Sequence, residues 1–493
     1  MSIADQQPSE VPKASAGFGT KQYRAYVLTS LLVVYIFNFI DRTIINILTE
    51  PIKLDFGVED WQMGLLGGPA FAFLYTFLGI PIARGAERFN RVIIITVAVA
   101  LWSLFTAVCG FAMSFLVLFL FRVGVSIGEA GCTPPAQSLI ADYFTPKSRA
   151  TAVSIYALGV PLGGMLASVF GGQLAGLDGA AFGNWISSIG LGGLFSGVDW
   201  ASVKGWRIAF VMVGVPGLLV ALIVFLTIKE PPRGYTDPKS LQGLEKASFG
   251  EALKVLASKP AYWHVVTGAM LASFVGYGVG QFTTSFLIRT HGLTIQQASL
   301  LFGIILGVMA AVGVFSSGYL ADRMSQRHPN ALSWLPALGM GISVPLYAFG
   351  FLADNLWLAM PPLMAAATLH YFYLGPMYAV AGGVVDSRMR ATSVAITLFV
   401  VNLLGYGLGP PIIGILSTFL KSMFLSGADL GLTLDACKDL AGLGSAETAA
   451  CTSADARGLQ WSIIIFICGY GWAALHYLLA GRTLQRDMVS GTD

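Results

Sequence analysis

The sequence predicts an all-α membrane protein in which twelve transmembrane helices form two pseudo-symmetric six-helix bundles. Its 493 residues are 55% hydrophobic and 11% charged, whereas soluble domains carry about a quarter charged residues. Apolar runs that reach the roughly 20 residues of a membrane-spanning helix recur along the whole chain. Two short motifs also occur twice at nearly equal offsets, which indicates a duplicated unit.

Hydropathy places the helices and divides the chain. They are predicted at 24–48, 62–83, 92–112, 115–139, 149–176, 208–228, 261–288, 296–320, 332–352, 356–381, 391–419 and 459–481. The polar N-terminus has no apolar core of a signal peptide, so 1–23 is predicted to be a cytosolic tail. The remaining units are a first bundle, a cytosolic linker, a second bundle and a cytosolic C-terminal tail, at 24–228, 229–260, 261–481 and 482–493.

Lysines and arginines predict the orientation in the membrane. With a cytosolic N-terminus, 20 of the 29 lie on the cytosolic side, 7 lie on the other side and two lie inside helices. By the positive-inside rule this predicts a multi-pass protein of the cell inner (plasma) membrane with both termini cytosolic. Because the basic residues are dispersed, no nucleic acid is expected as a partner. The expected partners are the lipid bilayer, a small-molecule substrate and protons, and we expect a monomer.

Two segments outside the helices carry specific predictions. In the linker, Phe249, Leu253 and Leu256 recur at helical spacing, which predicts a short amphipathic helix on the inner membrane surface. Cys437 and Cys451 share the predicted outer loop 420–458, where a disulfide and two free thiols are both open. The outer loop 177–207 is also long and rich in glycine and tryptophan.

The repeated motifs lie at helix ends. The loop after the second helix reads Ala83-Arg84-Gly85-Ala86-Glu87-Arg88, and the loop after the eighth reads Gly318-Tyr319-Leu320-Ala321-Asp322-Arg323, an offset of 235. Similar segments begin the fifth and eleventh helices at 149–155 and 390–396, an offset of 241. A carboxylate and a guanidinium on such a loop can pair across helices, hold one face closed and then release it. A plain surface ion pair, which would contribute little, is the alternative. The predicted gating residues are Glu87, Arg88, Arg91, Asp322, Arg323, Arg149 and Arg390.

The loop motif resembles that of a known family. Together with Arg327, the second copy is similar to the inner-loop motif of the major facilitator superfamily, and the helix plan is similar over nearly the whole chain. The first copy departs from the motif, with Ala83 in place of glycine and Glu87 in place of aspartate. The resemblance implies the major facilitator fold and alternating access between two bundles.

Two helices resemble one group within that superfamily. The segment 38–43, Asn-Phe-Ile-Asp-Arg-Thr, and the segment 122–131, Arg-Val-Gly-Val-Ser-Ile-Gly-Glu-Ala-Gly, are similar to the Spinster lipid transporters, as is Pro-Pro-Ala at 134–136. Organic-anion transporters of the superfamily share parts of these motifs. The resemblance therefore implies a lipid substrate and keeps a small organic anion as the alternative.

Four charged residues lie well inside the apolar stretches of the predicted helices: Asp41, Arg42, Arg122 and Glu129. A lone charge at the bilayer centre costs at least ~2.5 kcal/mol, so such residues pair or line a wet cavity. Arg122 and Glu129 are two helical turns apart and face the same direction. The alternative is a set of buried ion pairs that only fix helix packing.

We interpret these residues as transport chemistry. Asp41 and Glu129 are predicted to exchange protons, and Arg42 and Arg122 to hold an anionic substrate group by forked hydrogen bonds. A substrate anion and a proton would then compete for one network, which is what coupling requires. Other predicted substrate-binding residues are Asn38, Phe274, Tyr277, Gln281, Tyr371 and Asn402, although aromatic stripes often serve helix packing. A cavity with one charged wall and one apolar wall suits an amphiphile.

The sequence thus predicts a proton-linked secondary active transporter that works by alternating access. The substrate implied by the Spinster resemblance is an amphiphilic anionic lipid such as a lysophospholipid or a sphingoid phosphate; the alternative is a proton-coupled symporter of small organic anions. An enzyme is not expected, since the five histidines are scattered, and neither is a channel or receptor. No cofactor or metal is predicted, because the cysteines have no metal-ligand spacing and no phosphate-binding loop is present.

Overall fold

A computed structural model describes residues 17–236, 248–328, 330–386 and 388–489, and within these ranges it contains helices and no strand. Eleven helical segments of this part are long and apolar enough to cross a membrane. They are span 1 (Lys21–Phe56), span 2 (Asp60–Ala86), span 3 (Arg91–Cys109), span 4 (Phe115–Tyr143), span 5 (Thr151–Ala175), span 6 (Gly205–Thr227), span 7 (Pro260–His291), span 8 (Ile295–Ser325), span 9 (Ala331–Leu352), span 11 (Arg390–Ser426) and span 12 (Ser445–Ala480).

Span 10 is the remaining predicted helix. A 3-10 turn at Tyr371–Tyr373 divides it into Leu356–His370 and Leu374–Gly383. The twelve predicted helices are all present, and the predicted all-α fold of two six-helix bundles is confirmed. Most of the predicted N-terminal tail, the middle of the linker at 237–247 and the end of the C-terminal tail lie outside the described residues.

The longest differences from the prediction lie at one face of the molecule. Residues 445–458 were predicted as loop, but they form the first turns of span 12. The backbone N–H of Gly444 donates to Glu447 Oε2 at 2.8 Å and caps this helix. Because the segment is polar, hydropathy does not identify it as helix. Cys437 and Cys451 form a disulfide that joins the preceding loop to this extension.

Span 4 is broken next to Glu129. Its first segment, Phe115–Glu129, is followed by a turn and then by Thr133–Tyr143. Pro134 and Pro135 start the second segment, where the missing N–H of proline is tolerated. Glu129 therefore stands at the end of a helix segment next to a break.

The amphipathic helix predicted in the linker is present as Phe249–Ala257. Ala252 and Leu256 are buried against the protein, whereas Phe249 and Leu253 are exposed. The indole of Trp263 in span 7 donates to the carbonyl of Leu256 at 3.0 Å. The helix thus keeps one apolar edge outward, and its position on a membrane surface stays a prediction.

Glycines allow close contacts between helices. Gly124 and Gly128 in span 4, and Gly159 and Gly163 in span 5, are four residues apart, a spacing that lets helix backbones approach each other. A Cβ atom at Gly163 would lie 2.5 Å from Phe39 Cβ and 2.6 Å from the carbonyl oxygen of Ile36. At Gly128 it would lie 2.6 Å from the backbone nitrogen of Trp102. Spans 5 and 4 can therefore touch the backbones of spans 1 and 3.

The two bundles meet near one set of helix ends. We call the face that carries residues 84–91 the basic face, and the face at the other helix ends the opposite face. Span 1 contacts span 7, span 2 contacts span 11, and span 5 contacts span 8. A Cβ atom at Gly64 would lie 2.3 Å from the carbonyl oxygen of Pro410, so the bundles are in backbone contact near the opposite face.

Gly163→Ala tests this packing against its neighbour Gly164. The substitution should destabilise the protein by about 1–3 kcal/mol, because a methyl group meets the backbone of span 1. Gly164→Ala is the matched control, since its Cβ would find only Thr43 Oγ1 at 3.8 Å. Thermal unfolding of both variants in one detergent measures the difference. Equal melting temperatures would contradict the close approach of spans 1 and 5.

Candidate functional site

An ion pair between spans 1 and 4 lies at the centre of the first bundle. Arg42 Nε donates to Glu129 Oε2 at 2.8 Å. The Glu129 side chain is fully buried, whereas 15% of the Arg42 side chain is exposed. Arg42 is therefore the member of the pair that a molecule arriving from outside the bundle can reach.

Aromatic rings surround the Arg42 guanidinium. Its central carbon lies 5.1 Å from the ring centroid of Phe39, 4.5 Å from that of Phe71 and 4.4 Å from that of Tyr75. Such cation–π contacts stabilise a charge where water is scarce. Spans 1 and 2 thus hold Arg42 in a fixed position with apolar surface beside it.

The other two buried ions lie deeper in the bundle. Arg122 Nη1 donates to the backbone carbonyl of Asp41 at 3.1 Å, and neither residue is more than 1% exposed. Within the described residues, Arg122 Nε and Nη2 and Asp41 Oδ1 have no hydrogen-bonding partner. Asp41 and Glu129 lie close enough to interact electrostatically, and so do Glu129 and Arg122. The four predicted ions form one group. Arg42 is partly exposed, whereas its partner Glu129 and the residues Asp41 and Arg122 are buried.

Asn38 belongs to the same group. It is 1% exposed and lies one turn before Arg42 on span 1, close to the Glu129 carboxylate, but neither atom of its amide makes a well-formed hydrogen bond in the described part of the chain. Leaving a buried amide unpaired costs about 1–3 kcal/mol, so this polarity is unfavourable for packing alone. The geometry suits a site whose hydrogen bonds change during function.

The second bundle adds an aromatic wall. The ring of Tyr277 is 41% exposed and lies 4.2 Å from the ring of Tyr406, which in turn lies 5.5 Å from Phe71 beside Arg42. Phe274 stacks on Phe466 at 4.7 Å and is half-buried. The aromatic wall and the Arg42 site are thus continuous through Tyr406, a residue that the sequence analysis did not single out.

Three other predicted substrate ligands differ in their surroundings. Tyr371 packs on His370 at 4.1 Å in the turn of span 10, and Asn402 lies half-buried on a π-helical turn of span 11. Gln281 is 1% exposed, and its Nε2 donates to Thr49 Oγ1 at 2.6 Å. The structure therefore places Gln281 in the contact between the bundles, and its role as a substrate ligand stays a prediction.

The predicted gating residues divide into two kinds. Glu87, Arg88, Asp322, Arg323 and Arg390 are exposed at the basic face. Their exposure is compatible with a basic face that stands open in this conformation. Their pairing across the bundles stays a prediction.

Arg91 and Arg149 make contacts within the first half of the chain. Arg91 is buried and forms ion pairs with Asp142 at 2.5 Å and Glu230 at 2.6 Å. Arg149 Nη2 donates to the carbonyl of Ala141 at 3.0 Å. Arg91 thus ties the segment after span 6 to the end of span 4, and Arg149 holds the loop after span 4 in place. The loop motifs did not indicate these roles.

A second ion cluster lies at the opposite face, and the sequence analysis missed it. We call it the opposite-face ion cluster; its members are Glu50, Lys53, Glu59 and Asp60 from the first half and Arg289, Lys421 and Asp455 from the second. All are buried except Asp455, which is 19% exposed at its side chain. Four of these seven ion pairs cross between the two bundles.

Arg289 is the centre of this cluster. Its two Nη atoms donate to the two carboxylate oxygens of Asp60, both at 2.8 Å, in a forked arrangement. Nη2 also donates to Glu50 at 2.7 Å. Ser417 of span 11 donates to the same Asp60 carboxylate at 2.6 Å. Forked arginine–carboxylate pairs combine strength with fixed geometry.

Asp455 and Lys421 extend the cluster. The Asp455 carboxylate lies 2.8 Å from Lys53 Nζ, 3.1 Å from Lys421 Nζ and 3.2 Å from Arg289 Nε. Lys421 also pairs with Glu59 at 3.1 Å. Lys53, Arg289 and Lys421 are among the seven basic residues that the sequence analysis uses only to orient the chain in the membrane. The one available signal was the run of acids at 50–60 next to the first helix.

Comparisons with known proteins fit this arrangement. The family model of the Major Facilitator Superfamily matches residues 31–410. A Mycolicibacterium smegmatis protein named "MFS-type efflux pump" is 29% identical over 80% of this chain and 85% of its own. "Protein spinster homolog 1" of Xenopus tropicalis is 26% identical over 80% of this chain and 73% of its own.

A solved structure is similar over almost the full length. It is the crystal structure of a bacterial homologue of the human lysosomal transporter Spinster in an inward-facing, unoccupied conformation. The two chains are 47% identical and superpose with a TM-score of 0.90, covering 96% of this chain and 100% of the other.

The Arg42–Glu129 pair is testable by a double-mutant cycle. Arg42→Met leaves a buried carboxylate unpaired and should cost about 3–5 kcal/mol, whereas Arg42→Met with Glu129→Gln should cost clearly less than the sum of the single changes. Thermal unfolding of the four proteins in one detergent gives the coupling. Additive effects would mean that the two side chains do not depend on each other.

Proposed function

The chain belongs to the major facilitator superfamily and is Spinster-like, and we propose that it couples protons to the transport of an amphiphilic anionic lipid such as a lysophospholipid or a sphingoid phosphate. It is a membrane-embedded secondary transporter that works by alternating access, and it is not an enzyme. The observation that carries the proposal is the accessible Arg42 guanidinium, paired with the buried Glu129 and framed by aromatic rings.

Arg42 provides the anion site of this proposal. A phosphate or carboxylate that reaches Arg42 competes with the Glu129 carboxylate for the same guanidinium. The half-buried ring of Tyr75 offers apolar surface next to that charge, and the fully buried ring of Phe71 packs behind the guanidinium. An anionic head with a hydrocarbon part matches these two features better than a small, fully hydrated anion does.

Glu129 provides the link to protons. When Glu129 is protonated it loses the charge that holds Arg42, so the guanidinium can pair with a substrate anion instead. Proton binding and anion binding then favour each other, in contrast to the competition that the sequence analysis expects, and linkage makes the effect reciprocal. Asp41, whose backbone carbonyl accepts a hydrogen bond from Arg122, is the second proton site of the proposal.

The aromatic wall supports the lipid as cargo. Tyr277, Tyr406 and Phe71 contact one another in series from the second bundle to Arg42, with Tyr277 exposed and the other two rings buried. An acyl or sphingoid chain can lie against Tyr277 while its head remains at Arg42. The likeness to Spinster proteins favours the same substrate class.

The two faces are proposed to close in turn. The opposite-face ion cluster holds the bundles together in this conformation, and the exposed loops with Glu87, Arg88, Asp322 and Arg323 are proposed to pair when the basic face closes. We take the basic face as cytosolic, in the inner (plasma) membrane with both termini inside. The similar Spinster homologue is described as inward-facing, which supports this orientation.

Glu129→Gln tests both substrate class and proton link. In the parent protein, lysophospholipid or sphingoid phosphate should raise the melting temperature more at acidic than at neutral pH, because protonated Glu129 releases Arg42. In Glu129→Gln the shift should be large at both pH values, and uptake into proteoliposomes should lose its response to a pH gradient. Asp41→Asn should also weaken that response.

Two results would reject parts of this scheme. A lipid-induced shift that keeps its full pH dependence in Glu129→Gln would remove Glu129 from the proton pathway. Stabilisation by small organic acids with none by lipids would select the organic-anion symporter instead. Arg42→Met serves as the control, because it should lose the shift for either class of anion.

Arg289→Gln tests the opposite-face ion cluster. Removal of the forked pair with Asp60 should shift the protein toward conformations with this face open. Spin labels at Leu54 and Ser426, one in each half of the chain, should then be farther apart from each other, as measured by double electron–electron resonance. Lys438→Gln is the matched control, because its ion pair with Asp435 is exposed and lies within one loop. Unchanged distances in Arg289→Gln would show that the cluster does not hold this face closed.

A further inference from the structure

A groove on the outer flank of the first bundle lies apart from the transport site. It has a volume of about 660 Å³ and lies among spans 2, 3 and 4. Ile82 of span 2 and Ile93, Val97 and Leu101 of span 3 form its sides. Ile93 is 50% exposed and Val97 58% exposed, so the groove opens outward along the length of span 3.

Glycines form the part of the groove contributed by span 4. Gly128 and Gly131 line it, on either side of Glu129 and Ala130. These two glycines stand at the break between the two segments of span 4. Both glycines are buried, and a Cβ atom at either would meet Trp102 or Ala98 of span 3, so they let span 3 lie close to span 4 at the floor of the groove.

One end of the groove reaches the basic face and is positively charged. Phe89 and Asn90 line that end, next to the exposed Arg88. Arg233, from the segment after span 6, donates to the carbonyl of Phe89 at 2.6 Å and to that of Ala86 at 2.6 Å. The Arg233 guanidinium therefore lies at this end of a largely apolar groove, and the adjacent loop carries the exposed Arg88 and the exposed acid Glu87.

We propose that this groove binds one acyl chain of an anionic bilayer phospholipid, with its phosphate at Arg88 and Arg233. The apolar sides fit a hydrocarbon chain, and the arginines at the mouth complement the negative charge of the head. A zwitterionic lipid offers the same chain but no net charge, so it binds less well. The site is distinct from Arg42 and does not depend on the proposed transport function.

The position of the groove gives the lipid a route to influence transport. A chain that fills it packs against Gly128 and Gly131, directly behind the helix segment that ends in Glu129. Movements at the break of span 4 would have to displace the chain or carry it along. Anionic lipid is therefore expected to stabilise one position of this segment.

The test uses the full chain in nanodiscs of phosphatidylcholine with or without phosphatidylglycerol, and native mass spectrometry to measure retained lipid. Val97→Trp fills the groove and should reduce retained phosphatidylglycerol at least about five-fold. Arg88→Gln should reduce it about five-fold, the effect typical of one arginine near a membrane surface. Ile93→Trp is a second groove-filling variant in case Val97→Trp folds poorly.

The controls are matched in chemistry and position. Leu104→Trp adds the same ring to the same span, at a residue that is 50% exposed and outside the groove. Arg327→Gln removes an exposed arginine after span 8 in the second half. Both should retain phosphatidylglycerol like the parent. Equal retention in Val97→Trp and Leu104→Trp, or equal retention of phosphatidylcholine and phosphatidylglycerol by the parent, would overturn the proposal. So would a dimer that Val97→Trp abolishes, because the occupant would then be a second copy of the chain.

Discussion

A hydrocarbon interior cannot solvate an ion, and this constraint governs where every charge of the protein lies. A charge at the bilayer centre costs at least ~2.5 kcal/mol unless it is paired or reached by water. Arg42 satisfies the constraint through Glu129 and three aromatic rings, and Arg289 satisfies it through two carboxylates. Arg122 satisfies it only in part, with one hydrogen bond to the carbonyl of Asp41. Among the four ions of spans 1 and 4, Asp41 and Arg122 are thus the incompletely paired ones.

The two charge groups differ in what they connect. Asp41, Arg42, Arg122 and Glu129 all belong to the first bundle, so their pairing can change without separating the bundles. In the opposite-face ion cluster, by contrast, Arg289 and its partner Asp60 come from different bundles, and opening that face must break them apart. A transporter needs both kinds: one group that responds to ligands and one that differs between the two open states. Coupling between them would pass along span 1, which carries Asp41, Arg42, Glu50 and Lys53.

Sequence reasoning located the helices and the four buried charges of spans 1 and 4, because hydropathy and the cost of isolated ions act locally along the chain. It could not find the opposite-face ion cluster, since Asp60 and Arg289 are 229 residues apart and their contact exists only once the bundles meet. The same limit explains Gln281, whose partner Thr49 lies in the other bundle. The extension of span 12 was missed for another reason: its polar residues are stabilised by a cap, a disulfide and Asp455, none of which hydropathy measures.

Ion pairs also suit a contact between the two bundles that must open during function. When an apolar interface is exposed to water, it loses roughly 25 cal/mol for every Å² and recovers nothing. When an ion pair opens to water, each partner regains its hydration, which offsets most of the lost attraction. In the cluster around Arg289, the first half contributes three acids and one base and the second contributes two bases and one acid, so the bundles attract each other while in contact. A face closed in this way can be specific and firm in one state and still separate at a moderate free-energy cost.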